Sequence, residues 1–479
     1  MSTSPPITNY IPDVSINGKS LPVYRWHCTR PAYGSVGSFR LYMSREVLRN
    51  AGVNIYQIGY AAVGQVPVLI KILDLDTGDE HLLFGGELDS VEVEYDTDTV
   101  IVNGRDWAGL LVDQKGSPTQ RTTVQVGSGT GASNAAVPCN SAGKMAPTGV
   151  DSVFDASSIA VTNGINIFDS TPSKLAYQIA VRNGYKPVIY QTPNEQNIGV
   201  FMNGSSTLAT EVRPWWEWLQ FLARFMGWNC YVTPDRSLYF GPFDLTNTAN
   251  LSWGVGNLSV DVLPCKDLHI TYNPRRNSSF LVLVGSHDNG TAAWTVGAAG
   301  VTDQSTTQTL QTNFPQLQFT QGKYLIGAAG AASPFTLSAF FTNLGKPVYY
   351  YQYKNLVANQ TAAKALELML DIAKRELILK ATVDGNVSIV PMQTINVTVG
   401  PNLATDFPNT QYYIHGVEHT YSVDEGWYTH ISAWTLPPVT SEQFLQANNI
   451  NGVSVVTGTP TLYNPSTPPS SAAPPAGAG

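Results

Sequence analysis

The recurrence of short segments in which apolar and polar residues alternate restricts the fold of this chain more than any other feature. Leu88–Tyr95 (LDSVEVEY) alternates throughout, and it follows the apolar runs Val68–Asp74 and His81–Phe84. The turn sequences LDTGDE and DTDT bound these runs. Alternation with a period of two between turns is typical of antiparallel strands. We therefore predict a β-meander in the N-terminal part, ending in one or two helical turns within Gly104–Asp113.

Strand signals return in the C-terminal part, around a strongly amphipathic segment. Asn359–Leu379 carries aliphatic residues on one helical face and charged residues on the other, which predicts the strongest helix of the chain. Asp288–Gly345 has few apolar anchors and is predicted to be an insertion or an extended arm. From Pro437 onward, the Pro, Ser and Ala content predicts a disordered or linker-like tail. The predicted C-terminal strands are Leu258–Leu263, Leu268–Tyr272, Ser279–Gly285, Val348–Tyr353, Ala381–Val383, Ile395–Val399, Tyr412–Tyr421 and Tyr428–Trp434.

The middle of the chain contains a segment that is dense in tryptophan, Arg213–Gly241. Pro214 suits the first turn of a helix and Gly227 suits its C-terminal cap, so a helix is predicted between them. Its tryptophans recur at the spacing of one helical face, which predicts a core and favours it over a ligand site. A hairpin should follow the helix. A second helix is predicted at Thr171–Gly184, and the polar stretch 114–161 is predicted to be a domain edge or long loop.

Length and composition indicate several domains with an unusually uncharged surface. A chain of 479 residues exceeds what one hydrophobic core serves, so two to four domains are expected. Charged residues make up 13%, against about 25% in an average soluble protein. Asn, Thr, Ser and Gln replace them, which suits a protein whose surfaces are buried by neighbours. The net charge of −8 argues against binding to nucleic-acid phosphates.

Cysteine spacing and the N-terminal sequence limit the chemistry and the compartment. The four cysteines, Cys28, Cys139, Cys230 and Cys265, are widely separated and form neither a zinc motif nor a disulfide framework. The sequence begins without a signal-peptide pattern and has no apolar run long enough for a membrane span. We therefore expect a protein that folds in a cytoplasm.

The pattern HGVEH, from His415 to His419, matches the H-x-x-E-H motif of one class of zinc peptidases. That chemistry needs both histidines on one face of a helix. The surrounding QYYIHGVEHTYS is typical of a strand, on which the two histidines would share a face about 13 Å apart. Such a separation is too large for one ion, and we predict no metal site.

Two further patterns could suggest catalysis or cofactor binding, and both have an ordinary interpretation. Val126–Asn134 (VGSGTGASN) contains a glycine motif, but no good helix follows to receive a pyrophosphate, so a flexible loop is predicted. Asp74 and Asp76 could be imagined as an acid and base pair, but they are typical turn residues. We therefore predict no catalytic, cofactor-binding or metal-binding residues and no enzyme activity.

Several of these segments, taken together, resemble one protein family. GELDSVEVEYDTDTVIVNGRDWAGLLVD resembles the end of the first barrel in baseplate hub proteins of contractile-tailed bacteriophages. WWEWLQFLARFMGWNCYVTPDRSLYFG is similar to the helix and hairpin of that family's middle domain. YYIHGVEHTYSVDEGWYTHISAW resembles the last hairpin of its second barrel. The resemblance covers residues 20 to 436, apart from Asp288–Gly345.

The resemblance implies a mainly β fold with an α+β middle domain and two tail-tube-like β-barrels, each with an associated helix. The implied domains are a first barrel at 1–115, a middle domain at 116–250, a second barrel at 251–436 with an insertion at about 286–345, and a tail at 437–479. Hubs of this family are trimers, so two barrels per chain match a six-fold tail tube to a three-fold spike.

The function implied is that of a structural baseplate hub in the virion, assembled in the host cytoplasm. Its partners would be the central spike, the tail tube or its adaptor, the baseplate wedge and the tape-measure protein, and DNA would pass through without specific binding. One alternative is the spike base of a type VI secretion or other contractile injection system. Another is a secreted carbohydrate-binding or hydrolytic β-protein, which the Trp and Tyr content would favour.

Overall fold

The computed structural model describes a little over half of the chain. The described residues are 9–32, 34–58, 66–116, 171–192, 195, 213–226, 228–242, 248–255, 262–273, 280–286, 294–301, 318–320, 324–331, 348–354, 375, 377–401, 411–435 and 461–465. The loop predicted at 114–161 lies outside these residues from 117 onward. Most of the helix predicted at Asn359–Leu379 also lies outside them, and its last three residues belong to a strand, Leu377–Asp384, instead of a helix.

The N-terminal part forms the predicted antiparallel meander and short helix. Its sheet order is β2-β1-β5-β6-β7-β4-β3. Apolar residues of alternating strand positions fill its core, including Trp26, Leu41 and Ile70. The elements are β1 Tyr10–Ile16, β2 Lys19–Leu21, β3 Arg25–Pro31, β4 Ser38–Ser44, α1 Arg45–Asn50, a 3-10 turn Ile55–Gln57, β5 Pro67–Asp74, β6 Glu80–Glu94, β7 Thr99–Asp106, α2 Ala108–Asp113 and the short β8 Lys115–Gly116.

The middle part has the predicted two helices and hairpin. The side chain of Thr171 caps the first helix and Pro172 opens it, as the sequence predicts. The tryptophans Trp215, Trp216 and Trp218 are at most 4% exposed, so the interpretation of the Trp-rich helix as core is confirmed. The elements are α3 Pro172–Arg182, β9 Lys186–Gln191, the short β10 Arg213–Pro214, α4 Trp215–Met226, β11 Asn229–Val232 and β12 Ser237–Gly241. The strand β9 runs parallel to β12, and β10 pairs with β8.

The C-terminal part contains a closed barrel of six strands. Around it the order is β22-β21-β13-β14-β20-β23, and β23 pairs again with β22. The two strands predicted at Leu258–Leu263 and Leu268–Tyr272 belong to a single strand, β14, over the residues described. The elements are β13 Thr248–Trp253, β14 Val262–Tyr272, β15 Phe280–Ser286, β16 Trp294–Val301, β17 Gln318–Thr320, β18 Tyr324–Ala331, β19 Val348–Lys354, β20 Leu377–Asp384, β21 Thr394–Val399, β22 Tyr412–Ser422, β23 Gly426–Thr435 and β24 Thr461–Leu462.

The structure adds to two sequence predictions for the C-terminal part. Asp288–Gly345, predicted to be an insertion or an extended arm, is not without strands, because β16, β17 and β18 join β15 and β19 in a separate five-stranded sheet. Strands such as TVGAAG lack the β-branched alternation that marks a strand in sequence. The tail is not disordered at every residue either, since β24 pairs with β9 of the middle part. Its short apolar sequence, Leu462–Tyr463, is isolated among proline, serine and threonine.

The two barrels are joined through one strand, β22. One edge of β22 pairs along its length with β23. The other edge pairs with β21 at Tyr412 and Tyr413, and with β3 of the N-terminal meander from Gly416 to Ser422. The hairpin of β22 and β23 also enters the core of the meander, where the backbone N–H of Trp427 donates to the hydroxyl of Tyr10 at 2.7 Å. The fold is therefore mainly β, with two tail-tube-like barrels and an α+β middle part, as predicted.

Among the residues that the structure describes, no helix has the length and apolar composition needed to cross a lipid bilayer.

Candidate functional site: the polar face of the shared sheet

The joined barrels present one continuous antiparallel surface. The strands β7, β4, β3, β22, β23, β20 and β14 follow each other edge to edge, each antiparallel to the next. Alternate residues on one face enter the two cores, for example Leu41 and Cys28 in the first and Ile431 and Val383 in the second. The residues between them point away from both cores. We call this outward side the polar face.

One row of residues in register shows the composition of the polar face. Each of the seven strands contributes one residue to it, and every one of these residues is polar. The row runs in order through Arg105, Ser38, Thr29, Glu418, His430, Thr382 and Asp267. A sheet with one core face and one solvated face is expected to alternate in this way, but here the pattern crosses from one barrel to the other without a break.

Hydrogen bonds connect neighbouring strands across this face. The two ring nitrogens of His430 lie 3.0 Å from the hydroxyls of Thr382 and Thr420. Across the junction between the barrels, Nε2 of His27 lies 2.8 Å from Oε1 of Glu418. That contact lowers the pKa of the Glu418 carboxyl. Because these contacts link four adjacent strands, β3, β22, β23 and β20, across the junction, they stabilise the register in which the barrels meet.

Several charges on the polar face and its edges form ion pairs. The guanidinium of Arg105 lies 2.8 Å from Asp89 and 2.7 Å from Asp113, and these hydrogen bonds raise its pKa. Lys266 lies 2.6 Å from Asp384, whose hydrogen bond raises the pKa of the lysine. Looser pairs join Arg40 with Glu92 and His269 with Asp267. Cations that already have carboxylate partners offer little net attraction for phosphate.

The middle part packs against the first barrel through a buried joint around Trp107. The indole N–H of Trp107 donates to the carbonyl of Pro234 at 2.9 Å, and the hydroxyl of Tyr185 donates to the carbonyl of Trp107. The guanidinium of Arg236 lies 5.2 Å from the ring centroids of both Trp107 and Tyr185. Gly85 of β6 touches this hairpin so closely that an added Cβ would lie 2.1 Å from the carbonyl oxygen of Pro234.

Buried carboxyls accompany this joint. Asp106 accepts hydrogen bonds from the N–H groups of Gly37, at 2.7 Å, and Ala108, at 2.9 Å. Burial nevertheless raises the pKa of Asp106 to about 7, and it raises the pKa of Glu87 to about 7 as well. A second contact reaches the other barrel, where Nδ2 of Asn229 lies 2.5 Å from the sulfur of Met392. The middle part is thus held by both barrels.

The two histidines of HGVEH lie on a strand, β22, as predicted, but they do not share a face. His415 is the extra residue of a β-bulge between Ile414 and Gly416. It stacks on Trp434 with ring centroids 4.0 Å apart. His419 instead lies in the core, with Nδ1 3.1 Å from the hydroxyl of Thr429, and burial lowers its pKa to about 3. The expectation of a shared face was wrong because the bulge changes the alternation between the two positions.

The remaining candidate motifs from the sequence are the acidic pair Asp74 and Asp76 and the glycine-rich segment Val126–Asn134. The carboxylate of Asp74 accepts from the backbone N–H of Asp76 at 2.9 Å, which confirms the interpretation of these acids as turn residues and lowers the pKa of Asp74. The glycine-rich Val126–Asn134 lies outside the described residues. Within the described part of the chain, no three His, Cys, Asp or Glu side chains come together as a group that could hold a metal ion.

The polar face and the joint around Trp107 were not predicted from the sequence. Polar residues at alternate strand positions were a visible signal, but their alignment into rows depends on pairing between strands that are hundreds of residues apart. The partners of Trp107 were equally hidden, because Pro234 and Tyr185 are remote from it in sequence.

Comparison with solved structures identifies the class of fold. The structure of a tail protein from Neisseria meningitidis MC58 is similar over 91% of this chain and 99% of that chain, with a TM-score of 0.50 and 13% identity. The 43 kDa tail protein of prophage MuSo2 from Shewanella oneidensis covers 89% of this chain and 98% of its own, with a TM-score of 0.47 and 13% identity. A component of the type VI secretion system of E. coli covers 89% and 77%, with a TM-score of 0.36 and 8% identity. No protein-family model matches the sequence, and no curated protein does.

This chain therefore shares its fold with the Neisseria tail protein. A tail-protein fold agrees with the resemblance that the sequence suggested.

Proposed function

We propose that this protein is a structural baseplate hub of a contractile phage tail, and that three copies form a ring between the six-fold tail tube and the three-fold central spike. The observation that carries the proposal is the union of two barrels through β22 into one sheet with one polar face. A ring of three such chains would present six barrels, which matches a six-fold tube. Closed rings of identical subunits are the usual form of soluble oligomers.

The polar face supports a role as the wall of the channel through which DNA is ejected. It is continuous across both barrels, and several of its charged side chains are held in pairs such as Arg105 with Asp89. Paired charges would let a polyanion pass without strong attachment, because affinity for nucleic acid depends on free cations that neutralise phosphates. The net charge of −8 adds a general repulsion.

The proposed role is assembly without catalysis. The charged residues on the polar face form pairs and hydrogen-bond networks between strands, which is an arrangement that stiffens a sheet. The partners of such a hub would be the central spike, the tail tube or its adaptor, the wedge and the tape-measure protein. Its place would be the tail baseplate of the virion, after assembly in the host cytoplasm. No specific observation favours the type VI spike base over the phage hub.

The mass of the native assembly tests the proposal. Light scattering of the purified protein should give three times the subunit mass of 51.8 kDa, and the mixture with its neighbouring spike protein should give that mass plus the mass of the bound spike. Electron microscopy should then show a ring with an open centre. A protein that stays monomeric with the spike protein present would contradict the hub, and hydrolysis of cell-wall glycans would instead support the secreted hydrolase.

A channel lining can be tested separately. In the assembled ring, a cysteine placed at Thr382, on the polar face, should react slowly with a bulky maleimide and quickly with a small one. A cysteine at Val181, which is 51% exposed on α3 of the middle part, gives the matched control. Equal reactivity of the two sites toward the bulky reagent would contradict the lining while leaving the trimer intact.

A further inference from the structure

The edge strand β9 of the middle part carries a short segment from the far end of the chain. Thr461 pairs with Gln191 and Leu462 pairs with Tyr190 in antiparallel register. The next residue continues the ladder, since the N–H of Tyr463 donates to the carbonyl of Ile189 at 2.7 Å. The segment thus extends the sheet β11-β12-β9 by one strand. Addition of an extended peptide to a sheet edge is a recurring mode of peptide recognition.

One side chain anchors this segment. The ring of Tyr463 lies 5.1 Å from that of Tyr177 on α3, and both rings pack against the core of the middle part. Leu462, in contrast, is 60% exposed, and Thr461 is exposed too. The contact of Thr461–Tyr463 rests mainly on backbone hydrogen bonds and one aromatic ring, which is little for a permanent element of a fold. Short elements with exposed backbone hydrogen bonds and few apolar contacts open at low cost.

The surroundings of the anchor define what else could bind there. Burial raises the pKa of the Tyr463 hydroxyl, and the nearby Glu195, a half-buried carboxyl that accepts hydrogen bonds from Ser173, adds to this shift. An acidic residue at the anchor position would be repelled there. The site suits an extended, uncharged segment that ends in an aromatic residue.

We propose that the outer edge of β9 is a strand-docking site, and that residues Thr461–Tyr463 of the same chain are its resident, displaceable ligand. Residues 436–460 connect this ligand to β23. A connection of that length spans up to ~85 Å when extended, so it allows the segment to leave and return without strain. A peptide with the same Leu-Tyr sequence competes for the edge. This proposal does not depend on the hub function, since it concerns a contact within one subunit.

A disulfide between paired residues tests the docking in the full chain. Cα atoms of directly paired residues in antiparallel strands lie about 4.5–5.5 Å apart, a separation that a disulfide can bridge. The double variant Gln191→Cys with Thr461→Cys should therefore form a cross-link within one chain under mild oxidation. The single variants and the wild-type chain measure any background from the native cysteines. Absence of a cross-link above that background would overturn the docking site, and a cross-link between chains would show that a second copy supplies the segment.

Displacement is tested with synthetic peptides. The peptide TPTLYNPS, which reproduces Thr459–Ser466, should slow cross-linking of the double variant in proportion to its concentration. The same peptide with alanine in place of tyrosine should need about tenfold more to do so, because it lacks the aromatic anchor. Equal effects of both peptides, or no effect of either at millimolar concentration, would overturn the proposal of a displaceable ligand.

Discussion

Nε2 of His27, on β3 of the first barrel, lies 2.8 Å from Oε1 of Glu418, on the β22 strand of the second. The two residues are placed diagonally across the strand pair at which the barrels meet. Their side chains are 37% and 42% exposed, so the contact is accessible to solvent. The contact therefore adds only a small, solvent-screened stabilisation. The backbone hydrogen bonds between β3 and β22 are the main connection between the barrels.

Replacing Glu418 by Gln should reduce stability by a few tenths to about 1 kcal/mol near neutral pH, the range of solvent-screened pairs. The contact with His27 lowers the pKa of Glu418. Its contribution is consequently present above the pKa of an unfolded glutamate and is lost as the pH falls through the lower pKa of the folded state. Urea midpoints of both proteins, measured from about pH 7 to about pH 3, should converge at the acid end. Glu92→Gln, which removes the looser 4.0 Å contact with Arg40, is the control and should change little.

Replacing Gly85 by Ala should disrupt the joint between the first barrel and the middle part. The new methyl group would lie 2.1 Å from the carbonyl oxygen of Pro234, which is backbone and cannot rotate away. We expect a loss of about 1–3 kcal/mol, typical of overpacking, seen as a lower midpoint of thermal unfolding. Gly416→Ala is the matched control, since Gly416 also lies in a strand but has nothing within 4 Å of the added methyl. Equal midpoints for the two variants would contradict this account of the joint.

Replacing Trp218 by Ala should destabilise the middle part by about 3–5 kcal/mol, because the indole is buried in its core. Glu217→Ala alters the exposed neighbour on the same helix and should cost less than about 0.5 kcal/mol. Tryptophan fluorescence during urea unfolding reports the difference as a shift in midpoint. If the two substitutions shifted the midpoint equally, the tryptophan helix would not be a core element.

Replacing His419 by Gln should make the free energy of unfolding fall less steeply as the pH is lowered. Burial lowers the pKa of His419 to about 3, below the value of about 6.5 in an unfolded chain. The neutral imidazole therefore contributes stability that is fully present above about pH 6.5 and is lost as the pH falls toward 3. One proton changes the slope by about 1.4 kcal/mol per pH unit. The variant should be less stable at neutral pH, and its stability should fall less steeply over that interval. Parallel curves would show that His419 does not take up a proton on unfolding.

The sequence predicted the elements whose signals are local. Thr171, Pro172 and the spacing of Trp215 and Trp218 specified two helices, since capping and helical periodicity act within a few residues. The strands β5, β6 and β7 of the first barrel were also predicted, because alternation and turn sequences mark them, whereas β1 to β4 were not predicted.

Features that depend on distant partners could not be predicted in this way. The bulge at His415 follows from the register of β22 against β23, which no local pattern states. The glycine- and alanine-rich strands β16 and β18 lack a strand signature, and only their pairing with each other reveals them. The sharing of β22 between two barrels is hidden for the same reason, because Thr29 and Glu418 meet only in the folded chain.

That shared strand has a mechanical consequence. The seam between β3 and β22 contains seven residue pairs, from Arg25 with Ser422 to Pro31 with Gly416. A pull along the strands would load all of their backbone hydrogen bonds together in shear, so none of them can be broken singly as in an opening zipper. Two barrels connected only by a flexible linker would separate under tension, whereas these two barrels should move together as one rigid body.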